Sequence, residues 1–191
     1  MAWSRTTYLD TDDLLYFRSS HGPVVQRLRV REYGAAADVT SAPAFDGPSV
    51  LELKTTRSGS RRRKVRWWTD AATIERALSG DPPATCPTPL VRHLARPLRP
   101  RVMTLYRRLA FVGEEPFGIR ITVDLDLRFV RPDGEVLAQH EEAIVEAKIM
   151  GKEPGWLVDF LAAVGSAQPI SKFRTGMLLL APEAPHTYAG A

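Results

Sequence analysis

In four short stretches charged residues alternate with apolar ones at a period of two: Arg27-Leu28-Arg29-Val30-Arg31, Val50-Leu51-Glu52-Leu53-Lys54, Arg120-Ile121-Thr122-Val123-Asp124-Leu125-Asp126 and Ile144-Val145-Glu146-Ala147-Lys148. On a strand, successive side chains point to opposite faces, so each stretch sorts its charges to one side and its apolar residues to the other. A half-buried sheet with its charges in water reads the same way. Repetition makes the pattern informative, because every stretch carries a guanidinium or an ammonium and three of the four carry a carboxylate. If the strands close into a barrel with the charged face inward, the lumen becomes a cationic tunnel holding a few acids. Such a tunnel suits a polyphosphate and its divalent metal.

Composition narrows the alternatives. The chain of 191 residues is 44% hydrophobic and 25% charged, with 26 basic against 22 acidic residues and a net charge of +4. That is one globular domain by size, only mildly attractive to anions as a whole. The distribution is less even: residues 57–66 hold Arg57, Arg61, Arg62, Arg63, Lys64 and Arg66, and residues 92–108 add six more arginines. A single cysteine, Cys86, excludes an internal disulfide and any cysteine-cluster metal site and suits a reducing cytoplasm. The four histidines, His21, His93, His140 and His186, lack the paired spacing of a zinc site. No apolar run approaches the roughly 20 residues of a membrane helix. This predicts a cytoplasmic protein, with room left for a membrane-bound partner. No glycine-rich phosphate loop, Walker lysine or nucleophile elbow is present. Trp67-Trp68 beside the basic run could stack on bases, but such a pair more often sends one ring to the core and one to the rim, and no nucleic-acid partner is expected.

The elements that must position these charges follow from periodicity and caps. Residues 5–9 read as a strand, and Asp10, Asp12 and Asp13 offer a cap for a helix to about 19 rather than a metal cluster. Strands are predicted over 24–33, 49–56 and 62–68, the last two joined as a hairpin by Ser58-Gly59-Ser60. Helices over 70–79 and 89–96 precede strands over 101–112, 117–131 and 136–149. Pro154 opens a helix to about 164, a last helix spans 172–180, and 181–191 reads as a disordered Pro/Ala/Gly tail beyond a single domain of 1–180. Consecutive strands with short connections predict an α+β fold dominated by an antiparallel sheet, and long twisted sheets of this kind tend to close.

Seven strings then fall in a recognisable order: Tyr8-Leu9-Asp10-Thr11, Arg29-Val30-Arg31-Glu32-Tyr33-Gly34, Glu52-Leu53-Lys54, Tyr106-Arg107-Arg108-Leu109-Ala110-Phe111, Arg120-Ile121-Thr122-Val123-Asp124, Val145-Glu146-Ala147-Lys148 and Ser171-Lys172-Phe173. From about Thr6 to Phe173 the chain resembles the VTC domain, a family of the triphosphate tunnel metalloenzymes whose polyphosphate polymerases bind ATP and polyphosphate inside an antiparallel barrel. The resemblance implies that Arg29, Arg31 and Lys54 hold phosphate, with Lys64 and then Arg66 from the basic hairpin; Arg61 and Arg62 read as its solvated tip. It implies catalytic roles for Arg108, Arg120 and Glu146, with Arg108 and Arg120 also on phosphate and Glu146 binding Mn2+ or Mg2+. Lys148 is either a further phosphate contact or the partner of Glu146, and Lys172 reaches the tunnel mouth. Arg107 has the opposite parity and should face outward. Thr122 and Asp124 are the expected partners of Arg120, and Glu52 that of Lys54.

Two departures qualify the resemblance. The family has a strand ahead of the Tyr-x-Asp-Thr string that brings a lysine to the tunnel, whereas here Tyr8 stands near the first residue, so a barrel open on one side or an upstream start is expected. A second basic residue often precedes the Ser-Lys motif, where this chain has Gln168-Pro169-Ile170. The expected activity is transfer of the terminal phosphoryl group of ATP to polyphosphate. The alternatives are a metal-dependent triphosphate hydrolase and a non-catalytic module that binds polyphosphate or nucleotides.

Overall fold

The computed structural model describes residues 2–36, 41–58, 62–113, 118–151, 153–165 and 170–180. The alternating runs fold as strands: β1 (Ala2–Thr11), β2 (Val24–Gly34), β3 (Ser49–Arg57), β4 (Arg63–Thr69), β5 (Leu98–Val112), β6 (Ile119–Val130), β7 (Val136–Gln139) and β8 (Ile144–Ile149). Helices α1 (Leu15–Arg18), α2 (Ala71–Leu78), α3 (Thr88–Leu94), α4 (Gly155–Val164) and α5 (Lys172–Leu180) flank them. The Gly59-Ser60 part of the expected hairpin turn, Arg61, Gln168-Pro169 and the 181–191 tail lie outside the described residues.

All pairings are antiparallel, in the order β4-β3-β2-β1-β5-β6, with β7 and β8 both on the far edge of β6. Among the described residues no ladder joins β4 to β7 or β8, so the expected closed barrel is replaced by an open sheet. Closure needs the first and last strands to zip in one register. Here that last edge is divided between strands of four and six residues. The division also corrects the single strand expected over 136–149. It coincides with a bulge in β6, where Asp126 adopts φ 54° and the register with β5 shifts between Leu105 and Arg107. This bulge inserts one extra residue, and Asp tolerates the left-handed conformation better than most. β8 pairs with residues 119–124 and β7 with 128–130, on either side of it.

The helix starts follow local chemistry. Asp10 accepts hydrogen bonds from the backbone N–H groups of Tyr16 and Phe17, both at 2.9 Å, so it satisfies the first turn of α1 from the end of β1. Asp70 caps α2 by accepting from the Thr73 N–H at 2.8 Å. Asp12 instead pairs with Arg99 and Arg101.

The apolar side of the runs makes the core. Leu28, Leu51, Leu53 and Trp67 are buried in one cluster with Ile74 and Ala77 of α2 and Leu90 and Leu94 of α3. A second layer forms on the opposite face, where Phe173 and Met177 of α5 join Tyr8, Val102, Leu127 and Phe129. The Phe173 and Tyr8 rings lie 5.3 Å apart. Gly176 permits that approach, because a Cβ there would sit 2.8 Å from Val102 Cγ2 and 3.1 Å from Phe129. The bulge is what brings Leu127 and Phe129 to this face, since without it alternation would turn them away from Asp124. α5 therefore seals one end of the charged face. No helix among the described residues is long and apolar enough to cross a membrane.

Candidate functional site

Register across β2, β3 and β4 stacks the charged side chains into three rungs. Arg27, Lys54 and Lys64 are opposite one another; next come Arg29, Glu52 and Arg66; then Arg31, Val50 and Trp68. Successive rungs lie about 6.7 Å apart, two residues of strand rise. The middle rung is held by Glu52, only 2% exposed. Arg29 donates to its Oε1 from Nε at 2.8 Å and from Nη2, Arg66 donates to Oε2 at 2.9 Å, and Lys64 Nζ stands 3.6 Å away. Burial works to raise the Glu52 pKa, but the Arg29 charge and the hydrogen bonds from Arg66 and Arg29 bring it down to about 2.

The first rung has no acid. Lys54 was expected to lean on Glu52, but Arg29, Arg66 and Lys64 occupy that carboxylate, and among the described residues Lys54 has no ion-pair partner. Burial, compounded by the like charges of Arg27, Arg62, Arg29 and Lys64, lowers its pKa to about 8. Arg27 beside it keeps its Nε buried without a hydrogen-bond partner. A cluster of half-buried, poorly neutralised cations is poised for an anion.

β1 carries the face onward with small polar residues. Thr6 lies opposite Arg31 and accepts from its Nε at 3.1 Å. Beyond it, β5 and β6 build a second centre around Asp124, also buried. Arg108 donates to both carboxylate oxygens, and Lys172 at the head of α5 reaches Oδ2 at 2.8 Å. Burial tends to raise the Asp124 pKa and these two cations overcome it, so it is lowered. Both cations also flank the Tyr106 ring, Arg108 at 5.1 Å and Lys172 at 5.0 Å from its centroid. Burial would raise the pKa of the Tyr106 hydroxyl, yet the charges of Arg31 and Arg108 leave it lowered, which ties the two centres together.

Glu146 and Lys148 sit at the outer margin as a half-exposed pair, Nζ to Oε1 3.0 Å. Burial pushes the Glu146 pKa up, but Lys148, Arg108 and Lys172 outweigh it, so the group stays ionised at neutral pH. Arg120 lies opposite Lys148 and is exposed. Its expected partner Asp124 belongs to Arg108 instead. The ladder places Arg108 directly across from Asp124, whereas Arg120 is four residues, about 13 Å, along the strand. A further correction concerns Asp126, read as part of the same alternating face. The bulge turns it outward to pair with Arg107, whose guanidinium also lies 5.9 Å from the Trp3 ring.

The structure thus gathers Arg29, Arg31, Lys54, Lys64, Arg66, Arg108 and Lys172 on one face, with Glu146 and Lys148 at its margin and Arg120 outermost. Sequence reasoning passed over Arg27, although its spacing of two from Arg29 was a usable signal. It also passed over Tyr106, and Asp124 as the anchor of two cations. Among the described residues no three His, Cys, Asp or Glu side chains converge to hold a metal. Glu146 is the accessible carboxylate, since Glu52 and Asp124 are buried and engaged. One such carboxylate fits a hard divalent ion that completes its shell with phosphate oxygens and water.

Fold and site define an α+β domain whose open antiparallel sheet presents a polycationic face built around two buried acids. Its sequence matches the family model of the VTC domain over residues 2–181, and the chain belongs to that family. Membership points to a polyphosphate-related function. No curated protein matches the chain.

Proposed function

We propose that the protein transfers the terminal phosphoryl group of ATP to a polyphosphate chain lying along this face. One observation carries the reading: Arg27, Arg29, Arg31, Lys54, Lys64, Arg66, Arg108 and Lys172 share one side of the sheet, with the acids Glu52 and Asp124 buried among them. Phosphoryl transfer asks little covalent work of a protein, and positioning plus charge stabilisation does most of it. Glu52 and Asp124 hold the guanidiniums in place before substrate arrives. Arg29 spends Nε and Nη2 on Glu52 and Arg108 the same two nitrogens on Asp124, so each retains Nη1 for phosphate. Arg108 and Lys172 would stabilise charge on the transferred group, while the β2–β4 rungs orient the chain behind it. Glu146, with Arg120 and Lys148 beside it, would hold Mn2+ or Mg2+, which when bound neutralises charge across adjacent phosphate oxygens.

The open seam between β4 and β8 supports a second reading, polyphosphate or nucleotide binding without turnover. A third keeps the same face and makes water the acceptor. Incubation of the purified protein with ATP and Mn2+, resolved on a polyphosphate gel, separates them. A ladder supports transfer. Free phosphate released in a parallel reaction with tripolyphosphate, without a ladder from ATP, supports hydrolysis, and binding with neither product supports the module.

A further inference from the structure

The charged face is graded along the strands. The rung of Arg27, Lys54 and Lys64 is cationic throughout, the next mixes two arginines with Glu52, and the third carries Arg31 beside Trp68, with Val50 buried between them. Tyr33, two residues beyond Arg31 on the same side of β2, completes the aromatic end. The Tyr33 and Trp68 rings stack with centroids 6.0 Å apart and planes inclined by 21°. Both remain exposed, Tyr33 at 42% and Trp68 at 52%. Their neighbour Trp67 shows the alternative fate of an aromatic here, since it points to the other side and is buried in the core.

Packing alone does not require this arrangement. Two large rings kept near-parallel and exposed offer a flat apolar surface, and the nearest charges along the strands are Arg31 and Arg66, each two residues away on the same face. Polyphosphate is uniform along its length and gains nothing from such a surface. A nucleoside triphosphate is polarised in the same sense as the rungs, with a flat π-system at one end and concentrated negative charge at the other. We infer that Trp68 and Tyr33 form a nucleobase platform, with Arg31 and Arg66 receiving the phosphates nearest the ribose. The inference rests on the phosphate reading of this face and adds to it an orientation and a basis for selecting nucleotide over inorganic triphosphate. Stacking accepts any base, because every base has a π-face, so ATP and GTP should bind alike.

Titration calorimetry with ATP and with inorganic tripolyphosphate, in the same Mg2+ buffer, tests it. Trp68→Ala should weaken ATP by about fivefold or more while tripolyphosphate stays within about twofold, the range expected for losing one base-stacking partner. Trp68→Phe should recover most of the ATP affinity, and Tyr33→Leu should reproduce the selective loss. Equal weakening of both ligands, or no change in either, would overturn the platform and leave the phosphate face standing. If the unmodified protein binds neither ligand, the phosphate reading fails and the platform fails with it.

Discussion

Arg108 and Asp124 face each other across β5 and β6 as a two-point pair, Nε to Oδ1 at 2.5 Å and Nη2 to Oδ2 at 2.7 Å, and the same carboxylate receives Lys172 from α5. This one acid therefore ties the terminal helix to the sheet as well as neutralising two cations. Asp124→Asn leaves both without a counter-charge and should cost about 3 kcal/mol, read as a lower urea midpoint with an unchanged slope. Tripolyphosphate should restore more stability to the variant than it adds to the parent protein. A midpoint that does not move would show that the pair holds nothing.

Glu52 ionises at about 2 in the fold against an ordinary value of 4.5. A carboxyl held below its unfolded value stabilises the fold above the unfolded pKa, and that stability drains away as pH falls from about 4.5 towards 2. The contribution is on the order of 3 kcal/mol, and Asp124 acts in the same direction. Glu52→Gln should flatten the acid limb of a stability-against-pH curve in that window. An equally steep limb in the variant would place the acid sensitivity elsewhere.

Lys54, with its pKa lowered to about 8, is partly deprotonated in mildly alkaline solution. Because its folded pKa is below its unfolded one, stability should rise as pH increases from about 8 towards 10.5, where charging it in the fold no longer carries a penalty. Phosphate binding should do the reverse and weaken over the same range. A bound phosphate would draw a proton onto Lys54, so binding near pH 8.5 should take up protons, seen as a dependence of the calorimetric heat on the buffer's ionisation enthalpy. Lys54→Met should abolish that uptake; persistence of it would assign the proton to another group.

Glu146 is the exposed acid of the face, and among the described residues it pairs with Lys148. Glu146→Gln should lower Mn2+-dependent turnover by about 100-fold or more, while tripolyphosphate binding in EDTA is retained. Loss of metal-free binding in the variant would mean that Glu146 supports the fold rather than an ion. Undiminished turnover would remove it from the chemistry.

Much of the site was legible because β2, β3 and β4 pair without interruption, so spacing alone decided which residues share a side. That is how Arg29, Arg31 and Lys54 came together, while Lys64 and Arg66 were chosen within the basic hairpin by the family resemblance. Register, which spacing does not contain, decided the partners: Glu52 falls to Arg29 and Arg66 rather than Lys54, and Asp124 to Arg108 rather than Arg120. An open side was among the expectations, whereas the division of the 136–149 segment was illegible for a related reason. It falls at Asp126, whose backbone leaves the β region inside an otherwise regular alternation. Nothing in Asp-Leu-Asp announces that departure.

The kink at Asp126 makes β6 a strand with two reading frames. Ahead of it, even-numbered positions supply Thr122 and Asp124 to the polar work; behind it, odd-numbered positions supply Leu127 and Phe129 to the seat of α5. Deleting that single residue would leave every other side chain intact in the primary structure and still force one half of the strand to show its wrong side. The length of β6 is thus under as strict a constraint as its composition, and an alignment gap here would count for more than most substitutions.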